Sequence, residues 1–437
     1  MKKSIQRNPG KAILAVSGLM IIIVMTGMQP STGKFDDYFE EKTLRVDYLQ
    51  TGMHDTAWIK ITEIFSEPYW GGSQVNMIDT FGYGRYYFTL KDRRSGRVIY
   101  SRGYSTLFAE WQDTEEAKMI RMSFRESLVM PFPRKPVILE IYRRDKQNRL
   151  HRMQTKEIDT RRGRVTGKVV NYYDVTDVVI HGSPDNKLDI VFIAEGYSSS
   201  EQEMFKDDCK RFAGYLLGAS PFKEHREKIN IRGIGAISEE SGVTIPGENI
   251  YRKTAVGSSF YTFESERYLM AQDFQRIRDI ASLVPYDQIF IIVNSDKYGG
   301  GGIFNYYATG TRGNRAADFL LIHEFGHSFA GLGDEYYTSD VAVNDFYDLD
   351  TEPWEPNITT LVDFGRKWAD LLPSGTEIPT TAIPENADKI GVYEGGGYAA
   401  RGIYRPFIDC TMKSVKYDAF CPVCRQAISR MIIFYSE

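Results

Sequence analysis

Residues 319–337 read Phe-Leu-Leu-Ile-His-Glu-Phe-Gly-His-Ser-Phe-Ala-Gly-Leu-Gly-Asp-Glu-Tyr-Tyr, and they determine how the second half of the chain is interpreted. On a helix, His323 and His327 lie one turn apart on one face, so both imidazoles can bind one Zn²⁺ ion. The carboxylate of Glu324, between them, can act as a general base on a water molecule activated by the metal. An accidental His-Glu-x-x-His pattern has odds on the order of 1 in 200. The sequence therefore predicts a zinc helix.

The boundaries of this helix can be placed on both sides of the histidines. Asn314 is a candidate N-cap, and apolar residues at near-helical intervals follow it. Gly331 and Gly333 come just after the last apolar position, where glycine commonly ends a helix. We therefore expect a helix that starts after Asn314 and stops at Gly331.

A zinc site needs a third protein ligand. No histidine follows His327, so another residue type must supply it. Asp334 is the nearest suitable group, just beyond the two glycines, and Glu335 is the alternative. A more distant glutamate, Glu352 or Glu355, would correspond to a different arrangement of the site.

Two short apolar runs in the same half predict strands that are buried on both faces, Leu188–Ala194 and Gln288–Asn294. Two other segments, Glu201–Leu217 and Arg267–Leu283, have the spacing of helices. Strands that alternate with helices indicate an α/β layer structure.

A run of four glycines, Gly299–Gly302, precedes the zinc helix. It lacks the Gly-Lys-Ser/Thr ending of a phosphate-binding loop, so a nucleotide site is not expected. We interpret it as a flexible turn that leads into an extended segment, Ile303–Thr309. An extended edge at that place could pair with a substrate strand through backbone hydrogen bonds.

The first part of the chain has a different pattern. Between residues 43 and 170, short segments rich in β-branched and aromatic residues alternate with Gly, Pro, Asp and Asn, as in Trp58–Ile61, Tyr86–Leu90 and Val137–Tyr142. This pattern predicts a β-sandwich. The predicted fold is therefore multidomain, with an N-terminal all-β sandwich (residues 35–170) followed by an α/β zincin-like catalytic domain (residues 175–437). Since the sandwich contains no candidate ligand cluster, we expect it to be separable.

The first 28 residues have the features of an export segment. An apolar run, Ala12–Met28, is preceded by the basic residues Lys2, Lys3, Arg7 and Lys11. Residues 1–28 therefore predict a signal peptide, with an uncleaved anchor as the alternative. We expect a protein that is secreted, periplasmic or at the cell surface, and that meets a membrane only through such an anchor.

The overall composition narrows the range of functions. Lys and Arg number 54 against 58 Asp and Glu, a formal net charge of −4, so nucleic acid is not an expected partner. Hydrophobic residues make up 42% and charged residues 26% of the chain, which is typical of globular proteins. The aromatic content of 13% would also suit a recognition surface.

The chain has four cysteines, Cys209, Cys410, Cys421 and Cys424, too few for a disulfide scaffold at this length. Cys421 and Cys424 form a Cys-x-x-Cys pair, but a second zinc site would need four ligands and no histidine lies near. In an oxidising compartment we expect a disulfide from Cys410 to either Cys421 or Cys424.

Several segments together resemble the IgA-peptidase-like family of metzincin-related zinc metallopeptidases. They are His323–Tyr336, Tyr393–Tyr398, Ile403–Pro406, Cys410–Met412 and Phe420–Cys424. The resemblance extends from about residue 30 to the end of the chain. Members of this family occur in gut bacteria and often carry an N-terminal β-sandwich.

The family resemblance implies that Met412 is the methionine of a turn beneath the metal. Some metzincins place a tyrosine two residues after that methionine, whereas this chain has Ser414. The sequence therefore leaves three candidates for the tyrosine that assists the oxyanion: Tyr398, Tyr404 and Tyr417.

These observations predict an exported zinc endopeptidase that acts on proteins or glycoproteins. Zn²⁺ held by His323, His327 and Asp334 would activate water and polarise the scissile carbonyl, and Glu324 would transfer the proton. The family name suggests host glycoproteins such as immunoglobulin A, but a catalytic motif alone does not fix the substrate. The alternative is a non-catalytic surface protein that binds glycan or protein through its aromatic-rich sandwich and keeps a structural zinc site.

Overall fold

The computed structural model describes residues 34–161, 165, 167, 172–337, 346–416 and 419–437. The predicted export segment, residues 1–28, lies outside this set. All of the described residues fall within one compact unit, residues 31–437. Among them, no helix has both the length and the apolar character that a membrane span requires.

Residues 34–158 are rich in strands, as the sequence predicts. The strands are β1 (Phe39–Gly52), β2 (Ala57–Glu67), β3 (Tyr86–Asp92), β4 (Val98–Tyr104), β5 (Met122–Pro133), β6 (Val137–Arg144) and β7 (Leu150–Ile158), with the short helices α1 (Phe35–Tyr38), α2 (Leu107–Trp111) and α3 (Glu115–Met119). They form two antiparallel sheets, ordered β2-β1-β5 and β4-β3-β6-β7. Side chains of both sheets, such as Tyr48 and Leu139, meet in one apolar core.

The second half is built on a mixed sheet. Its strands are β8 (Val175–Val179), β9 (Leu188–Glu195), β10 (Ile229–Ile234), β11 (Ser258–Ser259), β12 (Met270–Ala271), β13 (Gln288–Val293), β14 (Gly300–Ile303) and β15 (Tyr307–Thr311). The main sheet has the order β14-β15-β13-β9-β10-β8, with parallel central strands and antiparallel edges. The two apolar runs predicted as buried strands are β9 and β13, and they are neighbours at its centre.

Helices cover both faces of this sheet. They are α4 (Gln202–Gly218), α5 (Phe274–Ala281) and α6 (Ala317–Ala330), and the chain ends with β16 (Tyr393–Gly396), β17 (Ala399–Arg405) and α7 (Pro422–Ser436). Successive side chains of a strand point to opposite faces. Phe192 on β9 therefore packs with α4 and α6, whereas Ile193 packs with α5. Burial on both faces explains the continuous apolar run that the sequence shows.

The helix predicted for Arg267–Leu283 is shorter in the structure. The start of this range pairs with β11 as strand β12, and helix α5 begins only at Phe274. The Asp273 side chain accepts a hydrogen bond from the Arg276 amide and caps the helix. Apolar spacing predicts the helix correctly from residue 274 onward, but it does not reveal the strand before it.

The prediction of a flexible turn at Gly299–Gly302 is wrong. Most of this run is strand β14, the edge of the mixed sheet, which lies beside helix α6. A Cβ atom at Gly302 would lie 2.1 Å from the backbone oxygen of Glu324. Glycine is therefore required here by close packing rather than by flexibility. The predicted extended segment, Ile303–Thr309, is the end of β14, a turn and the start of β15.

The two halves of the chain share part of their interior. Leu107, Phe108 and Trp111 lie in the same apolar cluster as Ile193 on β9. The Gln275 side chain on α5 donates hydrogen bonds to backbone oxygens of β1 and β5. This arrangement argues against a separable first domain, because its removal would expose the shared cluster to water.

Candidate active site

Helix α6 begins and ends close to the predicted positions. Its N-cap is Ala316 rather than Asn314, although the Asn314 side chain accepts a hydrogen bond from the Ala316 amide (3.0 Å). The helix ends at Gly331, whose φ of 63° is left-handed and costs glycine little. Leu321 and Phe325 point into the core, and another face of the helix meets a cavity of 1560 Å³.

Three of the predicted metal ligands converge at the wall of this cavity. The Nε2 atoms of His323 and His327 are 3.1 Å apart, and each lies 3.3 Å from Oδ1 of Asp334. Bonds of about 2.0–2.1 Å to a tetrahedral zinc ion would separate its ligand atoms by about 3.3 Å. The three atoms therefore have the spacing to share one ion, and three protein ligands is also the number found in catalytic zinc sites.

Asp334 is suited to the role of third ligand. Its Oδ1 atom is buried and faces the two imidazoles, and no other donor bonds to it within the described part of the chain, as expected for an atom that shares an ion with them. Its Oδ2 atom accepts a hydrogen bond from the Tyr398 hydroxyl (2.5 Å). Burial would raise the pKa of Asp334, but His327 and His323 hold that pKa well below its usual range.

Backbone carbonyl groups orient both imidazoles. His323 Nδ1 donates to the carbonyl oxygen of Thr411 (3.0 Å), and His327 Nδ1 donates to that of Leu332 (2.6 Å). A proton on each Nδ1 leaves the Nε2 lone pair for the metal. Burial lowers the pKa of His327, whereas Asp334 raises it to about 9, so a proton competes with the metal for this nitrogen.

Glu324 lines the same cavity but lies beside the three ligands rather than among them. Its side chain faces strand β14, where a Cβ atom at Gly300 would lie 3.1 Å from Glu324 Cγ and 3.3 Å from Oε1. Burial raises the pKa of Glu324, and His323 and His327 lower it. A carboxylate in this setting accepts a proton more readily than an exposed one, which suits a general base.

The other carboxylates considered as ligands lie elsewhere. Glu335 belongs to a separate cluster, with its Oε1 atom 3.3 Å from Cys424 Sγ. Glu352 and Glu355 accept hydrogen bonds from other side chains of their own loop. Within the described residues, Asp334 is therefore the carboxylate that meets the histidines.

Met412 lies against helix α6 near the histidines. A Cβ atom at Gly326 would lie 2.9 Å from the Met412 sulfur, so the thioether fills the space that this glycine leaves. The carbonyl oxygen of Met412 accepts a hydrogen bond from the Glu335 amide (2.9 Å). The turn that contains Met412 is thus tied directly to the loop that follows Asp334.

The three tyrosines left open by the sequence have different positions. The Tyr398 hydroxyl donates a hydrogen bond to Asp334, so it contacts one of the predicted metal ligands. Tyr404 lies on β17, where its backbone pairs with Thr359, and its side chain is not among the residues that line the cavity. Tyr417 lies outside the described residues.

The cavity also contains groups that sequence reasoning missed. Tyr298 lines the cavity, where burial raises the pKa of its hydroxyl and the charges of Glu324 and Asp334 add to the effect. Glu110 on α2 accepts a hydrogen bond from the Tyr268 hydroxyl, and burial raises the pKa of Glu110 to about 7. Glu110 reaches the cavity only because the first half of the chain packs against the second, so no local sequence pattern identifies it as a residue of the site.

The predicted disulfide is absent from the structure, since all four cysteines are free thiols. Cys410 Sγ lies 3.9 Å from Cys424 Sγ, far beyond a disulfide bond of about 2.05 Å. Cys410, Cys421 and Cys424 instead gather around Glu335, while Cys209 lies on α4 outside this group.

Comparison with known families covers both halves of the chain. Residues 34–155 match the Peptidase M64 N-terminus family, and residues 177–386 and 381–432 match the IgA Peptidase M64 family. No curated protein matches the chain. The family matches extend over most of the sequence and include His323, His327 and Asp334, so the chain belongs to the IgA Peptidase M64 family of metallopeptidases.

Proposed function

We propose that this metallopeptidase is an exported zinc endopeptidase with a zincin-like catalytic domain. The observation that carries the proposal is the convergence of His323, His327 and Asp334 on one point beside Glu324. Zinc is favoured over magnesium or calcium because imidazole ligands suit zinc, whereas the harder cations prefer oxygen. The mixed sheet, with its antiparallel edge strand beside the histidine helix, supports the zincin-like assignment.

When bound, Zn²⁺ would lower the pKa of a water molecule and polarise the scissile carbonyl. His323 and His327 would hold it through Nε2, and Asp334 through Oδ1. Glu324 takes the proton from the attacking water and passes it to the leaving amine, so one carboxylate serves both steps. Tyr398, bonded to Oδ2, fixes the orientation of Asp334.

The substrate is proposed to be an extended polypeptide. The cavity volume of 1560 Å³ exceeds the roughly 300–1,000 Å³ of small-molecule sites. Strand β14 is an edge strand beside Glu324, so a peptide that pairs with it would pass close to the general base. The outward backbone groups of Gly300 already bond to Arg267 and Leu269, so we assign substrate pairing to Gly302 instead of Ile303–Thr309.

Export is proposed from the basic and apolar character of residues 1–28, with a membrane contacted only if that segment is an anchor. An exported peptidase would meet host proteins, and immunoglobulin A is proposed as a substrate on the strength of the family description. The net charge of −4 makes nucleic acid an unsuitable partner.

The test is digestion of casein, immunoglobulin A and another host glycoprotein, with terminal sequencing of the fragments. The Glu324→Gln protein is the matched control, because it keeps the three ligands. Cleavage inside the chain by the wild type, lost with a chelator and restored by zinc, is the expected result. Intact substrates in the presence of zinc-loaded wild type would instead support the non-catalytic surface protein that binds glycan or protein.

A further inference from the structure

A second group of metal-ligating side chains lies next to the candidate active site. Glu335, Cys410, Cys421 and Cys424 each offer one atom, and these atoms all lie within 4.8 Å of one another. All four residues are buried, with exposures of at most 1%. The sequence offered three thiols and no nearby histidine, and the fold supplies the missing fourth ligand from the loop after Asp334.

The distances within this cluster match those of a tetrahedral zinc site. Zn–S bonds of about 2.3 Å place two ligand sulfurs about 3.8 Å apart, and a sulfur and an oxygen ligand about 3.5 Å apart. Cys410 Sγ and Cys424 Sγ are 3.9 Å apart, and Cys424 Sγ lies 3.3 Å from Glu335 Oε1. The side chains therefore need little movement to bind one ion.

An unpartnered polar atom points to a ligand that the side chains alone do not supply. The Oε2 atom of Glu335 is buried and accepts no hydrogen bond within the described residues, and the residue itself is 0% exposed. Its Oε1 atom accepts one from the Asn357 side-chain amide (2.9 Å) and lies 3.3 Å from Cys424 Sγ, the other donor to this carboxylate within the described residues. A buried carboxylate with so few donors is unfavourable unless a cation compensates it.

Backbone amides donate hydrogen bonds to two of the three sulfur atoms. The Cys421 amide donates to Cys410 Sγ (3.2 Å), and the Cys424 amide donates to Cys421 Sγ (3.5 Å). Cys421 is also the N-cap of α7, so the positive end of the helix lies at its sulfur. Thiolates are the form that binds zinc, and a Cys-x-x-Cys pair at a helix start is a common source of two ligands.

We propose that Cys410, Cys421, Cys424 and Glu335 bind a second Zn²⁺ ion, which has a structural role. Four protein ligands leave no open position, as expected for a structural site rather than a catalytic one. The ion would connect helix α7 to two loops of the active site. One loop carries Glu335 directly after Asp334, and the other carries Cys410 just before Met412.

The first experiment counts metals and thiols in the wild-type chain, purified without reductant and dialysed against a mild chelator. We expect two zinc ions per chain by mass spectrometry, and four reactive thiols once the protein is denatured with excess chelator. Two thiols would mean a disulfide and would overturn the proposal, as would four thiols with no zinc. A single zinc with four thiols is assigned to one of the two sites by the His327→Ala experiment below.

The second experiment isolates the new site with His327→Ala, which removes a ligand of the catalytic ion. We expect this protein to keep one zinc and, after exchange with cobalt, to show the near-ultraviolet charge-transfer band of thiolate ligands. Absence of that band overturns the proposal, whether or not cysteine variants fold. Adding Cys424→Ser should remove the metal and the band, whereas the buried Cys209→Ser control should keep both.

The fourth ligand is tested by Glu335→Gln, which preserves the side-chain volume. Affinity for the second ion should fall at least about tenfold, while the thiolate band remains at saturating cobalt. An unchanged affinity would exclude Glu335 as a ligand and overturn the four-ligand site. Because these readouts are metal content and spectra, they stay decisive even if the chain proves to have no peptidase activity.

Discussion

Adding one methyl group at Gly302 tests whether the contact between β14 and α6 positions Glu324, the proposed general base. A Cβ atom there would lie 2.1 Å from the carbonyl oxygen of Glu324 and 2.9 Å from its carbonyl carbon. Non-bonded carbon and oxygen atoms need roughly 3.2 Å or more, so the strand and the helix must separate by at least about 1 Å. Both neighbours are backbone, so no side-chain rotation can relieve the overlap.

The expected size of the effect follows from that displacement. A shift of about 1 Å between a catalytic group and its substrate can cost on the order of 10²-fold in rate. Overpacking of this kind also lowers the free energy of unfolding by about 1–3 kcal/mol. We therefore expect Gly302→Ala to fold, to bind zinc and to lose about 100-fold in kcat/KM.

The assay combines hydrolysis of a fluorogenic peptide with zinc content and denaturant unfolding. Gly214→Ala on helix α4 is the control, because a Cβ atom there meets nothing within 4 Å. It should leave kcat/KM unchanged and raise stability by about 0.5–1 kcal/mol. A Gly302→Ala enzyme with wild-type kcat/KM would refute the idea that β14 sets the position of Glu324.

Glu324→Gln should keep its zinc and lose roughly 10²-fold or more in kcat, measured on the same peptide; near-normal activity would remove its role as base. Asp334→Ala should lose the catalytic zinc on dialysis against a mild chelator, whereas Glu355→Ala should retain it. The reverse result would assign the third ligand to Glu355 instead of Asp334. Burial raises the pKa of Glu126 from 4.5 to about 8, so on raising the pH the unfolded chain loses this proton first. Glu126 should therefore contribute a fall in stability of roughly 1.4 kcal/mol per unit between about pH 5 and pH 8, and Glu126→Gln should reduce the slope in urea titrations by that amount, whereas the contribution of Glu110 should remain.

The parts of the fold that sequence predicts well are those with a strong local pattern. Strands β9 and β13 appear as continuous apolar runs because both of their faces are buried. Helix α6 is marked by its apolar spacing and by the glycine at its end. In the site, the spacing of His323 and His327 already places both imidazoles on one face, and Asp334 follows from its nearness in the chain.

The errors arise where long-range packing decides the structure. The glycine run suggests flexibility, but its small size is needed because β14 lies against the backbone of α6. The disulfide prediction failed because it considered the cysteines as a local group. Glu335 lies among these cysteines but is distant from them in sequence, and its place next to Asp334 suggests only a role as a ligand of the catalytic metal.

The orientation of both imidazoles by main-chain oxygens has a consequence for sequence variation. The carbonyl groups of Leu332 and Thr411 remain whatever side chains those positions carry, so point substitutions there leave the acceptors in place. Insertions or deletions in either loop would move the acceptors and release the imidazoles. Relatives of this protein can therefore diverge in the side chains at these two positions, while the lengths of the two loops should stay nearly constant.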